Sequence, residues 1–156
     1  MTKNITVIAS PIGNLAIYVK EAQLKAIEIG TELPLSDAND SASQLICAQI
    51  GAYFSKQSNS FKVPIYRQGT DFQQRVWRAL TRIPAGEVRT YGQIAAELGS
   101  SARAVGTACR KNPTPVIVPC HRVVSATGIG GFSGQQVGHL VDIKRQLLML
   151  EGVNFE

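Results

Sequence analysis

Arginine is absent from the first 66 residues of this 156-residue chain, although nine arginines follow in the remainder. Aromatic residues are scarce, at 6% of the chain, and there is a single tryptophan. No apolar run is long enough for a membrane span, so we expect no membrane association. The segment from Met1 to Asn4 leads directly into a strand-like stretch and has no signal-peptide pattern, which predicts a cytoplasmic protein.

Only three cysteines are present, Cys47, Cys109 and Cys120, and their odd number and irregular spacing do not suit a disulfide framework. Free cysteines are typical of a reducing compartment, in agreement with a cytoplasmic location. Cys47 and Cys109 lie in predicted helices and are expected to pack in the core. Because no cluster of residues with zinc-ligand spacing is found, we expect neither a metal nor another cofactor.

The charge distribution separates two regions of the chain. Residues 1–66 hold five lysines and five acidic residues, whereas residues 67–156 hold eleven basic and six acidic residues and carry the whole net charge of +5. A basic half beside a neutral half favours a polyanionic partner, nucleic acid above all, although a solvated basic surface has the same composition. We therefore predict two domains, 1–66 and 67–156, of which the second interacts with nucleic acid.

Hydrophobic periodicity predicts an α+β fold. Residues 4–9, 15–20 and 24–29 have the pattern of short strands, and residues 44–54 have the pattern of a helix that packs against a sheet. The first domain is therefore predicted to be a small sheet with one helix. The second domain is predicted to be mostly helical.

A helix-turn-helix is predicted in the second domain. A capping-box pattern at Thr90 and Gln93 begins a helix that ends at Gly99, and a second helix is predicted over 102–111. Two short helices joined by a glycine turn are typical of this motif. The second helix is basic and has small side chains, which suits DNA contact and also suits close packing inside a protein. The excess of arginine favours DNA contact.

The stretch with the most evident chemistry is Pro-Cys-His-Arg-Val (119–123), which follows the apolar run Val-Ile-Val (116–118). The β-branched run predicts a strand, and the proline interrupts strand pairing immediately before the thiol. His121 and Arg122 are expected to lower the pKa of the Cys120 thiol, because positive charge favours the thiolate. A buried, unreactive cysteine fits the same five residues.

Two further residues extend this candidate site. Asn112 precedes Pro113 and should end the second helix, and its side chain is expected to bond back to the backbone of the thiol segment. Glu151 lies near the C-terminus of a helix predicted over 143–152, where a carboxylate needs a positive partner. His121 is the candidate partner, and a Cys–His–Glu relay would follow. A plain asparagine turn and a surface glutamate are the alternatives.

Taken in order, these motifs strongly resemble the O6-alkylguanine-DNA alkyltransferases. The matching motifs are Gly-Thr-x-Phe-Gln-Gln (69–74), Ile-Pro-x-Gly-x-Val (83–88), Tyr91, Ala-Arg-Ala-Val-Gly (102–106), Asn-Pro (112–113), Pro-Cys-His-Arg-Val (119–123), Ser-Gly (133–134) and Leu-Leu-x-x-Glu-Gly (147–152). They extend over more than half of the chain. A single motif could arise by chance, but the agreement of many spacings is specific.

The resemblance implies direct-reversal DNA repair, in which an alkyl group passes irreversibly from O6 of guanine, or O4 of thymine, to Cys120, once per molecule. His121 would withdraw the thiol proton through a water molecule, because neighbours on an extended chain point to opposite sides. Glu151 would orient the imidazole. Tyr91 would donate a hydrogen bond to the departing guanine, and Asn112 would hold the active-site turn.

The resemblance also implies double-stranded DNA as the partner of a monomeric protein, bound in the minor groove with the damaged nucleotide flipped out. Arg103 would fill the space that the nucleotide leaves in the duplex. Ser133 and Gly134 would form a wall against the flipped base. Further contacts to DNA or substrate would come from Thr90, Ala102, Ala104, Gly106, Arg110 and Val123.

The chain departs from the family pattern in three places: Phe132 replaces a common tyrosine, the 134–144 stretch is longer, and the domain 1–66 is shorter and less recognisable.

Three other functions fit part of the sequence pattern. Cys120 argues against a related module that binds alkylated guanine without repairing it. A cysteine hydrolase using Cys120 and His121 would turn over and need an oxyanion site, and the sequence offers no separate nucleophile–base pair of that kind. A helix-turn-helix regulator would present larger polar side chains to the bases.

Overall fold

The computed structural model of the protein describes residues 4–131 and 139–154, which separate into the units Met1–Arg67 and Gln68–Glu156. The unit Met1–Arg67 combines one sheet with one helix, and helices predominate in the unit Gln68–Glu156. The predicted α+β class is therefore confirmed. None of the helices in the described ranges is long and apolar enough to cross a bilayer.

Three antiparallel strands in the order β1-β2-β3 form the sheet of the first unit. They are β1 Asn4–Ile8, β2 Leu15–Lys20 and β3 Gln23–Ile29, and the helix α1 Ser41–Phe54 follows them. Asp40 caps this helix by accepting a hydrogen bond from the Ser43 backbone N–H at 2.9 Å. The core of this unit includes the buried side chains Leu15, Ala16, Ile17 and Val19 of β2 and Ile46, Ile50 and Tyr53 of α1. The predicted strands agree with the observed ones within one residue at each end.

The second unit is mainly helical, and its elements are α2 Asp71–Thr81, β4 Arg89–Thr90, α3 Tyr91–Leu98, α4 Ala102–Arg110, a 3₁₀ turn at Cys120–Arg122, β5 Val123–Val124 and α5 His139–Leu150. The two short strands pair in parallel. This pairing attaches the residues that immediately follow the 3₁₀ turn to the start of α3. We call Cys120–Arg122 the reactive turn.

Local sequence signals explain where α2 and α3 begin and end. Thr70 with Gln73 and Thr90 with Gln93 form complete capping boxes, in which each threonine caps the backbone and each glutamine bonds back to it. The helix α3 ends at Gly99, which adopts a left-handed conformation with φ of 65°. The helix α4 begins three residues after Gly99, so a short turn joins two short helices where the helix-turn-helix is predicted.

The prediction of a strand over 116–118 is wrong. This segment is a turn, in which the Val118 N–H donates to the Thr114 carbonyl at 2.9 Å, and Val116 adopts a left-handed φ of 75°. Prolines at 113, 115 and 119 restrict the backbone on both sides and cannot donate to a strand ladder. The β-branched side chains are nevertheless buried, so their apolar character reflects core packing around the reactive turn.

Two glycines with positive φ offer a matched test of the packing around α2. A Cβ atom at Gly69 would lie 2.7 Å from both Gln73 Oε1 and a Trp77 ring carbon, whereas a Cβ at Gly99 would meet nothing within 4 Å. We expect Gly99→Ala to cost about 1 kcal/mol of unfolding free energy from the backbone conformation alone. Gly69→Ala should cost about 1–3 kcal/mol more, because overpacking is added. Urea denaturation of the two variants measures this difference, and equal losses would contradict it.

Candidate functional site

The reactive turn buries the thiol in the second unit. Within it the Arg122 N–H donates to the Pro119 carbonyl at 3.0 Å, and the Cys120 N–H donates to the Val118 carbonyl at 2.8 Å. Cys120 is 6% exposed and His121 is completely buried. The expectation that Cys120 and His121 alternate along an extended chain is wrong, because the backbone is coiled here into a 3₁₀ turn.

The predicted contact between His121 and Glu151 is confirmed. The distance from His121 Nε2 to Glu151 Oε2 is 2.8 Å, and the glutamate side chain is 2% exposed. This contact favours the imidazole tautomer in which Nε2 carries the proton and donates it to the carboxylate. Nδ1 is then the acceptor nitrogen, and it has no hydrogen-bond partner in the part of the chain that the structure describes.

Glu151 has a second partner, the cationic Arg122, which the sequence analysis did not assign to it. Arg122 donates from Nε to Glu151 Oε1 and from Nη2 to Oε2, both at 2.9 Å, and from Nη1 to the Ile83 carbonyl at 2.6 Å. Such two-point pairing is the strongest geometry for arginine and a carboxylate. The need of Glu151 for a positive partner at a helix C-terminus was the available signal, and two residues answer it.

The expectation that His121 and Arg122 lower the pKa of Cys120 is wrong. Burial raises the pKa of this thiol, while the Asn112 side chain and the Lys144 ammonium act in the opposite direction. Arg122 is neutralised by Glu151, and burial lowers the pKa of His121, so neither residue offers the thiol a net positive charge. At neutral pH the site therefore contains a protonated thiol and a neutral imidazole, and reaction requires a base.

A buried lysine of α5 connects two separate segments of the site by hydrogen bonds. Lys144 on α5 is completely buried and donates from Nζ to the Val123 carbonyl at 2.6 Å and the Gly131 carbonyl at 2.9 Å. Burial lowers its pKa to about 8. The sequence analysis missed Lys144, although it lies on the same helical face as Leu147 and Leu148, where a charged residue signals a buried role.

Tyr91 is the first residue of α3 and lies half-buried beside the same lysine. Its hydroxyl lies 3.5 Å from the Gly131 carbonyl, and Lys144 Nζ lies 5.7 Å from its ring centroid. Burial raises the pKa of the Tyr91 hydroxyl well above its ordinary value, so this group remains a hydrogen-bond donor. A Cβ atom at Gly130 would lie 3.2 Å from the Tyr91 ring, which explains the glycine at this close approach.

Asn112 connects the end of α4 to the segment that precedes the thiol, as the sequence predicts. Its Nδ2 donates to the Val118 carbonyl at 2.8 Å, and its Oδ1 accepts from the Thr114 N–H at 3.0 Å. The Asn112 side chain also acts against the effect of burial on the pKa of the Cys120 thiol. Asn112 therefore holds the backbone that precedes the turn and favours ionisation of the thiol.

The helix α4 presents an exposed surface with two arginines. Arg103 and Arg110 are exposed, as is Ala102, while Ala104 and Gly106 are half-exposed. Small side chains along this face leave its backbone open to close approach. Two other arginines, Arg75 of α2 and Arg82 directly after α2, contact α3: Arg75 donates to the Leu98 carbonyl and Arg82 pairs with Glu97.

The other predicted contact residues fall in different surroundings. The Thr90 hydroxyl is used to cap α3. The Val123 side chain is completely buried, so only its carbonyl oxygen takes part in the site, as an acceptor for Lys144. Ser133 and Gly134, together with Phe132, lie outside the described residues.

Replacing Asn112 tests how far one side chain maintains the turn. Asn112→Ala removes a donor and an acceptor, and we expect it to lower the free energy of unfolding by about 1–3 kcal/mol, because the Val118 carbonyl keeps only one of its two donors and the Thr114 N–H loses its acceptor. Asn112→Asp retains the acceptor for Thr114 but places a carboxylate against that carbonyl, so it should destabilise the protein at least as much at neutral pH. Thermal or urea unfolding of the two variants provides the measurement. Retention of full stability by Asn112→Asp would contradict the donor role.

Sequence comparisons connect this site with known proteins. A family model described as the DNA-binding domain of 6-O-methylguanine DNA methyltransferase matches residues 71–153. A methylated-DNA–protein-cysteine methyltransferase from Methanosarcina acetivorans is 42% identical over 151 residues, which cover 92% of this chain and 94% of that protein. A protein of the same name from Mycobacterium bovis is 49% identical over 106 residues, covering 66% of this chain and 61% of that protein.

Solved structures give the same result across both units. The crystal structure of Mycobacterium tuberculosis O6-methylguanine methyltransferase has a TM-score of 0.81 and 37% identity, covering 96% of this chain and 93% of that one. A Mycobacterium tuberculosis structure in complex with DNA has a TM-score of 0.78 and 39% identity, with coverages of 94% and 91%. The similarity therefore includes the small N-terminal unit as well as the motifs around the thiol.

Proposed function

Because the chain belongs to the family of methylated-DNA–protein-cysteine methyltransferases, we propose that it removes alkyl groups from O6 of guanine in double-stranded DNA, and from O4 of thymine, onto Cys120. The observation that carries this proposal is the arrangement of the reactive turn. A buried thiol is followed directly by a neutral imidazole, which Glu151 orients and whose second nitrogen remains available as an acceptor.

The proton of the thiol has a defined route in this proposal. His121 Nδ1 accepts it through a bridging water molecule, while Nε2 keeps its hydrogen bond to Glu151. The imidazolium that forms is stabilised by the carboxylate at 2.8 Å. A base of this kind is required because burial raises the pKa of Cys120 and keeps the thiol protonated at rest.

Alkyl transfer then exchanges one bond for another. The Cys120 thiolate attacks the alkyl carbon, an S–C bond forms, and the C–O6 bond breaks with its electron pair passing to the guanine. Tyr91 remains protonated and donates a hydrogen bond to the purine as negative charge develops there. The guanine takes up one proton from solvent and remains in the DNA as the neutral, unmodified base, while His121 releases the thiol proton to solvent. The thioether left on Cys120 is a poor leaving group, so each molecule acts once.

Access to O6 requires the nucleotide to leave the helical stack, because the atom lies inside the duplex. We assign α4 to the minor groove, with its small residues against the backbone and Arg103 in the space left by the flipped nucleotide. The exposure of Arg103 and Arg110 on one helix supports this assignment. The similarity to a Mycobacterium tuberculosis structure in complex with DNA supports DNA as the partner. We place this activity in the cytoplasm, where free thiols remain reduced.

Intact-protein mass spectrometry tests the central step. After incubation with a duplex containing O6-methylguanine, the protein should gain one methyl group, and peptide mapping should locate it on Cys120. Cys120→Ser should gain none, although Cys47 and Cys109 remain as thiols. A second addition of damaged duplex should produce no further repair. Unmodified wild-type protein with the lesion intact would contradict the proposal and favour a module that only binds damaged DNA.

Arg103→Ala tests the flipping role of α4. We expect this variant to repair damaged duplex about tenfold or more slowly, because nothing compensates for the cost of unstacking, and to react normally with the free base O6-methylguanine. Arg82→Ala removes the same charge at an exposed ion pair outside α4 and is the matched control. Rates of methyl transfer to the two substrates give the comparison. An equal loss on duplex and free base would argue against intercalation by Arg103.

A further inference from the structure

One carboxylate is shared between two basic side chains at the reactive turn. Glu151 Oε2 accepts from both His121 Nε2, at 2.8 Å, and Arg122 Nη2, at 2.9 Å, while Oε1 accepts from Arg122 Nε at 2.9 Å. The glutamate side chain is 2% exposed and the arginine side chain 6% exposed. Solvent therefore contributes little to the charge balance of this group.

A buried carboxylate requires one countercharge, and two side chains here could supply it. Arginine stays protonated under all ordinary conditions, whereas histidine gains or loses its proton according to its surroundings. Since Arg122 already balances the carboxylate, a proton on His121 would create an excess positive charge in the interior. We propose that Arg122 is a positioning residue that balances the charge of Glu151, so that the carboxylate orients His121 without drawing a proton onto it.

The position of Arg122 suits this role. Its third hydrogen bond, from Nη1 to the Ile83 carbonyl at 2.6 Å, attaches the guanidinium to the segment that follows α2. The carboxylate is thus held between the end of α5, which Glu151 directly follows, and a fixed cation. Because the Arg122 guanidinium is held by three hydrogen bonds, the Glu151 carboxylate has little freedom to move with the His121 ring.

The other groups around His121 favour the neutral ring as well. The charged groups that influence it are Glu151, Arg122 and Lys144, and of these only the glutamate favours the imidazolium. The adjacent Cys120 is a protonated thiol at rest and adds no negative charge. Loss of Arg122 would therefore leave Glu151 as the main determinant of the charge on His121, and we expect a proton to bind.

The test is the protonation state of His121 in Arg122→Met, observed by NMR of the imidazole nitrogens. The chain has only two histidines, so the exposed His139 supplies one reference signal, assigned with His139→Gln. At pH 7 we expect a neutral ring in the wild type and an imidazolium in Arg122→Met. Arg122→Lys retains the charge and should retain the neutral ring. A neutral His121 in Arg122→Met, or an imidazolium in both variants, would overturn the inference.

Unfolding of Arg122→Met would itself be informative, because the variant leaves a buried carboxylate without its countercharge. In that case the double variant Arg122→Met/Glu151→Gln, which removes both charges, should recover cooperative unfolding and show a neutral His121. Failure of the double variant to fold would mean that Arg122 acts through packing and would overturn the inference.

The kinetic consequence depends on the proposed function, whereas the NMR result does not. With His121 protonated, Arg122→Met should transfer alkyl groups about tenfold more slowly than the wild type at pH 7. The rate of the variant divided by that of the wild type should rise toward one at higher pH, because the imidazolium loses its proton. A loss that is the same at every pH would indicate a structural role and contradict charge balancing. If the wild type transfers no alkyl group, the proposed function fails while the NMR experiment still decides the role of Arg122.

Discussion

The buried carboxylate of Glu151 is the contact on which the rest of the site depends. It lies at the end of α5, where the exposed carbonyls of the helix disfavour negative charge. Two adjacent residues of the reactive turn compensate for it, Arg122 through paired hydrogen bonds and His121 through one. Folding of the C-terminal helix therefore fixes the orientation of the imidazole beside the nucleophile. The site is completed only when residues 30 positions apart in sequence are brought together.

The helices and strands around the site follow from local sequence, and the reactive turn does not. Capping boxes at Thr70 and Thr90 mark the starts of α2 and α3 because the signal lies within four residues. The run 116–118 has the composition of a strand, yet neighbouring prolines prevent pairing and burial alone explains its apolar side chains. The apolar composition of a segment predicts that its side chains are buried, but it does not predict which backbone conformation the segment adopts.

The residues of the site were predictable to different degrees for the same reason. Cys120, His121 and Asn112 occur in recognisable motifs, and the unfavourable position of Glu151 indicated that it needed a partner. The partner of Arg122 could not be predicted in the same way. The sequence analysis assigned Arg122 to the thiol, because the sequence does not show that Glu151 approaches Arg122 from the end of α5. Lys144 illustrates the limit, since its carbonyl acceptors lie on segments that only the tertiary fold places around it.

Burial keeps the Cys120 thiol protonated, and His121, Glu151 and Arg122 are therefore needed to provide a base for its proton. A desolvated thiol resists ionisation, which protects a nucleophile that can be used only once from reacting with other electrophiles. The same desolvation keeps His121 neutral and able to accept a proton, provided that the glutamate beside it is already balanced by Arg122. In the proposed reaction the thiolate forms only when its proton can pass to the imidazole, which confines reactivity to a substrate held against the turn. Arg122 would then act on the reaction through the charge of Glu151, without contacting the substrate.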